Sequence, residues 1–162
     1  MSATTDAAAT DAPATDAAAS DGDLLQLDKQ VCFALAVASR SVIGLYRPVL
    51  EPLGLTHPQY LVMLALWEQS PRTLSGLSAE LMLEPATLTP LVKRLESAGL
   101  ITRARSAHDE RALSIELTDA GRALRSDALA VPQQIIERLG VPVDELERTR
   151  DALHRLIDAA RA

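Results

Sequence analysis

Aromatic side chains are almost absent, with one Trp, one Phe and two Tyr in 162 residues. A β-sandwich core draws heavily on aromatics, so the expected core is aliphatic and built from packed helices. Cysteine is scarcer still. Cys32 stands alone, which excludes an internal disulfide framework and suits a reducing cytoplasm, the expected location. No unbroken run of about 18 apolar residues occurs, so no membrane span is expected. Enzyme signatures are missing as well: no Ser/His/Asp constellation, no glycine-rich phosphate loop, no pair of catalytic carboxylates. His108 and His154 lack ligand spacing, so neither a metal nor a cofactor is expected.

What is present falls into two materials. Residues 1–23 are Ala-rich, hold Asp6, Asp11, Asp16, Asp21 and Asp23, and contain no Lys or Arg. Their five Asp contribute −5 to the formal net charge of −6, leaving the remainder near −1. This stretch lacks the cationic start and apolar centre of a signal peptide. It buries too little to offset chain entropy, so it reads as a disordered acidic tail. The chain as a whole is 48% apolar, enough for one good core, and one folded domain is expected over 24–162.

From Leu24 the periodicity is helical. Leu27, Val31, Leu35, Ala38, Val42 and Leu45 form one stripe; Cys32, Ala36, Ser39, Ile43 and Tyr46 form its neighbour. Two stripes exceed what a single partner helix covers, which predicts a second subunit on one side. The helix is expected to fail by Pro48. Thr56 and Gln59 have capping-box spacing and open a Leu-rich core helix to about Gln69. Residues 70–72 read as a loop, and Thr73 as the cap of a short helix over 74–82.

The run ATLTPLVKRLE at 86–96 is the most informative. Leu88, Leu91, Val92 and Leu95 share one face, while Thr87, Thr89, Pro90, Lys93 and Arg94 occupy the other. Pro85 suits a first helical position, yet Pro90 would then remove a bond in the second turn; the helix either bends there or starts near Thr87. Gly99 closes it. Strands over 100–105 and 111–117 follow, with Leu113, Ile115 and Leu117 alternating inward. Thr118 caps a helix expected to run until Gly140, and Pro142 restarts the chain into a last amphipathic helix bearing Leu146, Leu153, Leu156 and Ile157. Net charge from Leu83 to Arg111 is only +1, from Lys93, Arg94, Arg103, Arg105 and Arg111 against four carboxylates. Placement therefore matters more than sign. A dry-backed helix with a basic front, beside a charged hairpin, suits a DNA major groove with a wing next to it. The fold class expected is mostly α with a small β-hairpin: a winged helix-turn-helix over 56–117, with dimerisation helices at 24–50 and 119–162.

These residues carry a resemblance. LDKQVCFAL at 27–35, LYRPVLEPLGLT at 45–56, PQYLVMLALWE at 58–68, ATLTPLVKRLE at 86–96, and HDER at 108–111 ahead of LTDAG at 117–121 resemble the multiple-antibiotic-resistance-regulator (MarR) family. The Cys-containing run is similar to its organic-hydroperoxide-resistance subgroup. The resemblance implies a dimeric, MarR-like repressor on a palindromic double-stranded operator, with Cys32 as a sensor oxidised by organic hydroperoxides. It also implies a recognition helix near 85–98 and a wing in which Asp109 holds Arg111 for a minor groove. Its sensor pocket implies Tyr46, His57, Ala36 and Tyr60; His57 and Ala36 stand where tyrosines are usual. Along one helix Tyr46 lies 14 residues beyond Cys32, roughly 21 Å. For Tyr46 to serve Cys32 it must therefore come from the other subunit, with the two first helices antiparallel.

With no second cysteine, a small cellular thiol is the expected resolving partner of oxidised Cys32. Three other readings compete. A lone cysteine on an apolar helix is ordinarily a small buried hydrophobe. A repressor of the same fold released by a small phenolic or aromatic ligand is the main functional rival. A thiol peroxidase is weaker, since the alternating strands and helices of its usual βαβ scaffold are missing.

Overall fold

The structure, a computed structural model, describes residues 25–105 and 113–162, with Arg105 described in its backbone only. The chain divides into two units, residues 1–38 and 39–162. In the first, a single 3-10 turn at Leu27–Lys29 precedes Gln30, whose extended backbone (φ −83°, ψ 114°) separates it from the helix that follows. Helix α1 therefore starts at Val31 and runs to Leu50, later than the periodicity from Leu24 suggests. Periodicity reports which side chains share a face and is blind to a one-residue break.

Pro48 lies inside α1, where the sequence predicted an end. Proline removes one ladder bond, but the last turn is held by Val49 and Leu50, both buried. A 3-10 turn at Glu51–Leu53 then closes on Gly54, left-handed at φ 66°. By length and composition alone, Val31–Leu53 reaches what a bilayer span needs, with mean hydropathy 1.3. Yet α1 carries Arg40 and Arg47 and keeps its apolar residues in stripes, as a helix packed on protein does.

The second unit is built around α2 (His57–Glu68), opened by the capping box: the Thr56 N–H donates to Gln59 Oε1 at 2.9 Å. Tyr60, Val62, Met63, Ala65 and Leu66 are all buried, so α2 is wrapped on most sides. Strand β1 (Arg72–Thr73) follows, then α3 (Leu74–Leu81) and α4 (Pro85–Ser97). β2 (Ile101–Arg105) and β3 (Leu113–Leu117) complete an antiparallel sheet in the order β1-β3-β2. β1 corrects the loop expected at 70–72; two residues are too short for alternation to register. The α4 ambiguity resolves to a start at Pro85 with Pro90 inside the helix. Leu88, Val92 and Leu95 are buried on its back, as expected, and Leu91 is half-buried.

Helix α5 (Asp119–Ala128) stops short of Gly140, and a separate α6 (Val131–Leu139) follows. The expected single helix breaks because Pro132 has no N–H to offer the Ala128 carbonyl. Gly140 does end α6, left-handed at φ 63°, and α7 (Val143–Ala159) closes the chain. None of its residues is buried; Leu153, Leu156 and Ile157 stay exposed, as do Val31, Phe33, Val37 and Ile43 of α1.

The LTDAG run joins three elements. The Thr118 hydroxyl accepts from the Gly121 N–H at 3.0 Å and donates to the Gly99 carbonyl at 2.7 Å. The Trp67 indole N–H donates to the Gly121 carbonyl at 2.8 Å. A Cβ on Gly121 would lie 2.0 Å from the Leu100 carbonyl oxygen, so the helix start cannot approach this closely with any other residue. Gly121→Ala should cost about 3 kcal/mol, lowering Tm by roughly 6–12 °C in thermal melts.

Candidate nucleic-acid interface and sensor pocket

The front of α4 is presented by two constraints on its ends. Glu84 precedes Pro85 in an extended conformation and starts the helix. At the other end the Leu100 N–H donates to the Leu95 carbonyl at 3.1 Å and the Gly99 N–H to the Glu96 carbonyl at 2.9 Å, with Gly99 at φ 73°. This pair of bonds is the Schellman closure. Between them Thr87, Pro90, Lys93 and Arg94 are exposed on the helix front. Thr89 is half-buried, and its hydroxyl donates to the Pro85 carbonyl at 2.7 Å, leaving only acceptor capacity free.

Arg103 is placed differently from the sequence expectation. Its Nε donates to Glu96 Oε2 at 2.8 Å, and a second guanidinium nitrogen reaches the same oxygen. The Glu96 carboxyl is pushed below its ordinary range, chiefly by that hydrogen bond. Arg103 is thus engaged by the protein itself. The backbone of Arg105 continues β2. His108, Asp109 and Arg111 lie outside the described residues, as does the acidic tail.

Tyr46, His57 and Tyr60, three of the residues expected around a sensor, come together. Tyr46 and His57 rings meet edge-on with centroids 4.7 Å apart, and Tyr46 and Tyr60 are 6.0 Å apart. Tyr60 in turn contacts Trp67 edge-on at 6.3 Å. Burial raises both tyrosine hydroxyls, Tyr60 also through Tyr46, so both stay protonated donors at neutral pH. Burial lowers His57. Burial thus disfavours the cationic ring, which weakens any charge-based action of His57 on a thiol.

His57 borders a cavity of about 730 Å³ lined also by Ile43, Leu55, Pro58, Arg40, Arg47 and Glu51. Neither arginine pairs with a carboxylate among the described residues. Cys32 is exposed in the first turn of α1, and Ala36 is exposed one turn on. Among the described residues no group of three or more His, Cys, Asp or Glu could hold a metal.

The lowered His57 value has a sign. Its unfolded ring binds a proton below about pH 6.5 while the folded ring resists it. Stability therefore falls as pH drops below that value. His57→Gln should flatten urea midpoints compared between about pH 5 and about pH 8.

Sequence reasoning passed over Arg40, Arg47, Arg72 and Glu96. Alternation from buried Ile101 was the available signal for Arg103, since it puts that residue on the sheet's inner face. The cavity arginines had none, because helical period cannot distinguish an empty pocket from solvent.

Comparison with known proteins places this arrangement in a lineage. The family described as transcriptional regulator SarA/Rot matches residues 44–128. The organic hydroperoxide resistance transcriptional regulator of Bacillus subtilis is 39% identical over 136 residues, 84% of this chain and 92% of that protein. AbfR of Staphylococcus epidermidis, solved in reduced form bound to DNA, is 35% identical with a TM-score of 0.71, covering 87% of this chain and 99% of that one. CouR of Rhodococcus jostii, solved with p-coumaroyl-CoA, is 30% identical with a TM-score of 0.70, covering 82% of this chain and 94% of that one. A three-stranded wing behind helices α3 and α4, matched over most of the chain by these proteins, shows that it belongs to the SarA/Rot family of MarR-like winged-helix transcriptional regulators.

Proposed function

We propose that this regulator is a homodimeric repressor that binds a palindromic operator through α4 and the wing, and releases it when organic hydroperoxide oxidises Cys32. The observation that carries the reading is the aromatic group Tyr46, His57 and Tyr60 beside an apolar-walled cavity. Protonated phenols are the donors that stabilise a thiolate, and a cavity with apolar walls selects an alkyl peroxide over a hydrated one. The exposed apolar faces of α1 and α7 support a second copy as their cover. In such a dimer the Cys32 of one copy meets the Tyr46 and His57 of the other.

The chemistry balances without a metal. The thiolate attacks one peroxide oxygen, the O–O bond breaks, and the alcohol leaves after taking up a proton. Sulfur becomes a sulfenic acid, which a small thiol converts to a mixed disulfide with loss of water. Relatives agree with parts of this: the Bacillus protein is named for organic hydroperoxide resistance, and AbfR has been solved in disulfide form. AbfR has also been solved overoxidised and bound to DNA, which supports adduct bulk, rather than added oxygen alone, as the release signal here.

A second reading is favoured by one observation. Arg40 and Arg47, in no ion pair among the described residues, border the cavity together with one carboxylate, Glu51, which leaves a net positive lining suited to an aromatic carboxylate; CouR was solved with p-coumaroyl-CoA. Operator binding measured with hydroperoxide, on wild type and Cys32→Ser, separates the readings: a response that survives in Cys32→Ser belongs to reversible ligand binding.

A further inference from the structure

Arg72 of β1 and Arg103 of β2 are both directly opposite Ile115 of the central strand β3. Residues opposite one another across strands share a face of the sheet, and Ile115 is fully buried. Both arginines thus start on the inner face, and their stems flank the same buried residue. Each then reaches a helix. Arg72 pairs with Glu80 of α3 and its Nε donates to the Gln69 carbonyl at 3.1 Å; Arg103 pairs with Glu96 of α4. The two side chains are only 17% and 25% exposed, far less than the arginines of α5 and α7 that form ion pairs, which are at least 52% exposed. The arrangement is doubled: each outer strand carries one arginine at the same level, and each helix of the helix-turn-helix receives one.

We infer that Arg72 and Arg103 are positioning residues, a pair of struts that fix the pitch of the wing against α3 and α4. They hold the wing strands and the α4 front at a fixed separation, and they do not themselves touch DNA. This rests on the DNA-binding reading above, and it departs from the simpler view of Arg103 as a wing phosphate ligand. The two views differ in sign at Glu96. If Arg103 binds phosphate, Glu96 competes for it, and Glu96→Gln strengthens DNA binding. If Arg103 is a strut, Glu96→Gln loosens the wing and weakens binding.

The test titrates wild type, Glu96→Gln, Arg103→Ala and the double variant against operator DNA at several salt concentrations. The expected result is a roughly fivefold loss of affinity for each single variant and no further loss in the double, because one coupled unit is broken once. The salt slope should stay at its wild-type value, since the number of neutralised phosphates does not change. Tm should move by less than about 3 °C, because a part-exposed pair contributes little to folding. Tighter binding by Glu96→Gln, a shallower slope in Arg103→Ala, or no effect in any variant each overturns the inference. Amide exchange on the DNA-free protein gives a second readout: Glu96→Gln should speed exchange in 101–105 and 113–117 and leave α2 unchanged. If wild type binds no DNA, the functional reading fails, while the exchange result still decides whether the struts hold the wing.

Discussion

Replacing Lys93 and Arg94 together by alanine should lower operator affinity at least about a hundredfold while the fold stays intact. Both side chains are exposed on the front of α4, opposite buried Leu88, Val92 and Leu95, so their removal disturbs no packing. An arginine that reads a base edge is worth about 1–3 kcal/mol, and 1.4 kcal/mol is about tenfold. In a symmetric dimer each substitution acts in both half-sites, which is why the effect is large. The two residues should separate by salt dependence. If a side chain neutralises a phosphate in each half-site, its removal lowers the slope by about 2. If it reads a base instead, its removal leaves the slope and relaxes sequence preference. Gel-shift or anisotropy titrations on operator and on scrambled DNA, at two salt concentrations, measure both. Affinity unchanged in the double variant would mean that α4 is not the recognition helix. Half-sites should be spaced about one helical turn apart, which footprinting checks.

Most of the DNA-binding unit was legible because its signals are local and redundant. The α4 back follows from four apolar residues at helical spacing, and its end from one left-handed glycine. Caps at Thr56, Thr73 and Thr118 announced three helix starts that the structure forms. Proline was the least reliable guide. Pro48 and Pro90 sit inside helices, with buried Val49 and Leu50 beside the first and Leu88 and Val92 around the second, whereas Pro132 stands at the start of α6 even though Val131 beside it is buried. A proline's missing hydrogen bond is visible in the sequence, but whether a helix continues through it is settled by the fold.

The candidate site was legible by residue type more than by role. Tyr46, His57 and Tyr60 lie near one another because α1 and α2 are linked by a short turn that brings their facing rings together. The charge state of His57 was not readable, because it depends on how deeply the ring is buried. Arg103 shows the same limit from the other side. In the sequence it is one more cation in a basic hairpin; in the fold a carboxylate seven residues earlier has already taken it. Counting cations overstates a DNA surface by those the protein uses internally. The ion pair withdraws one cation and one carboxylate together, so the local net charge stays the same while fewer cations remain for phosphate.

Exposure to a stoichiometric organic hydroperoxide together with a small thiol should abolish operator binding in wild type and leave Cys32→Ser bound. Cys32 is the only thiol in the chain and is exposed on α1, so no intramolecular or intersubunit disulfide with a second cysteine type is open to it. The sulfenic acid is expected to meet an external thiol or be oxidised further, and a disulfide joining the two Cys32 residues of a dimer is recognised by its doubled intact mass. Intact mass should show one thiol adduct per chain when thiol is present, and two or three added oxygens when peroxide is in excess without it. Adding reductant should restore binding after the first treatment and not after the second, because sulfinic and sulfonic acids are not reduced by thiols. Tyr46→Phe sharpens the test. It keeps the ring against His57 and removes the hydroxyl, so DNA affinity should hold within about twofold while the oxidation rate falls, on the order of tenfold for a missing charge-assisted hydrogen bond. Release from DNA with Cys32 still a free thiol, or a Cys32→Ser protein that still responds to peroxide, would refute thiol oxidation as the trigger and leave the arginine-lined cavity as the place where the signal enters.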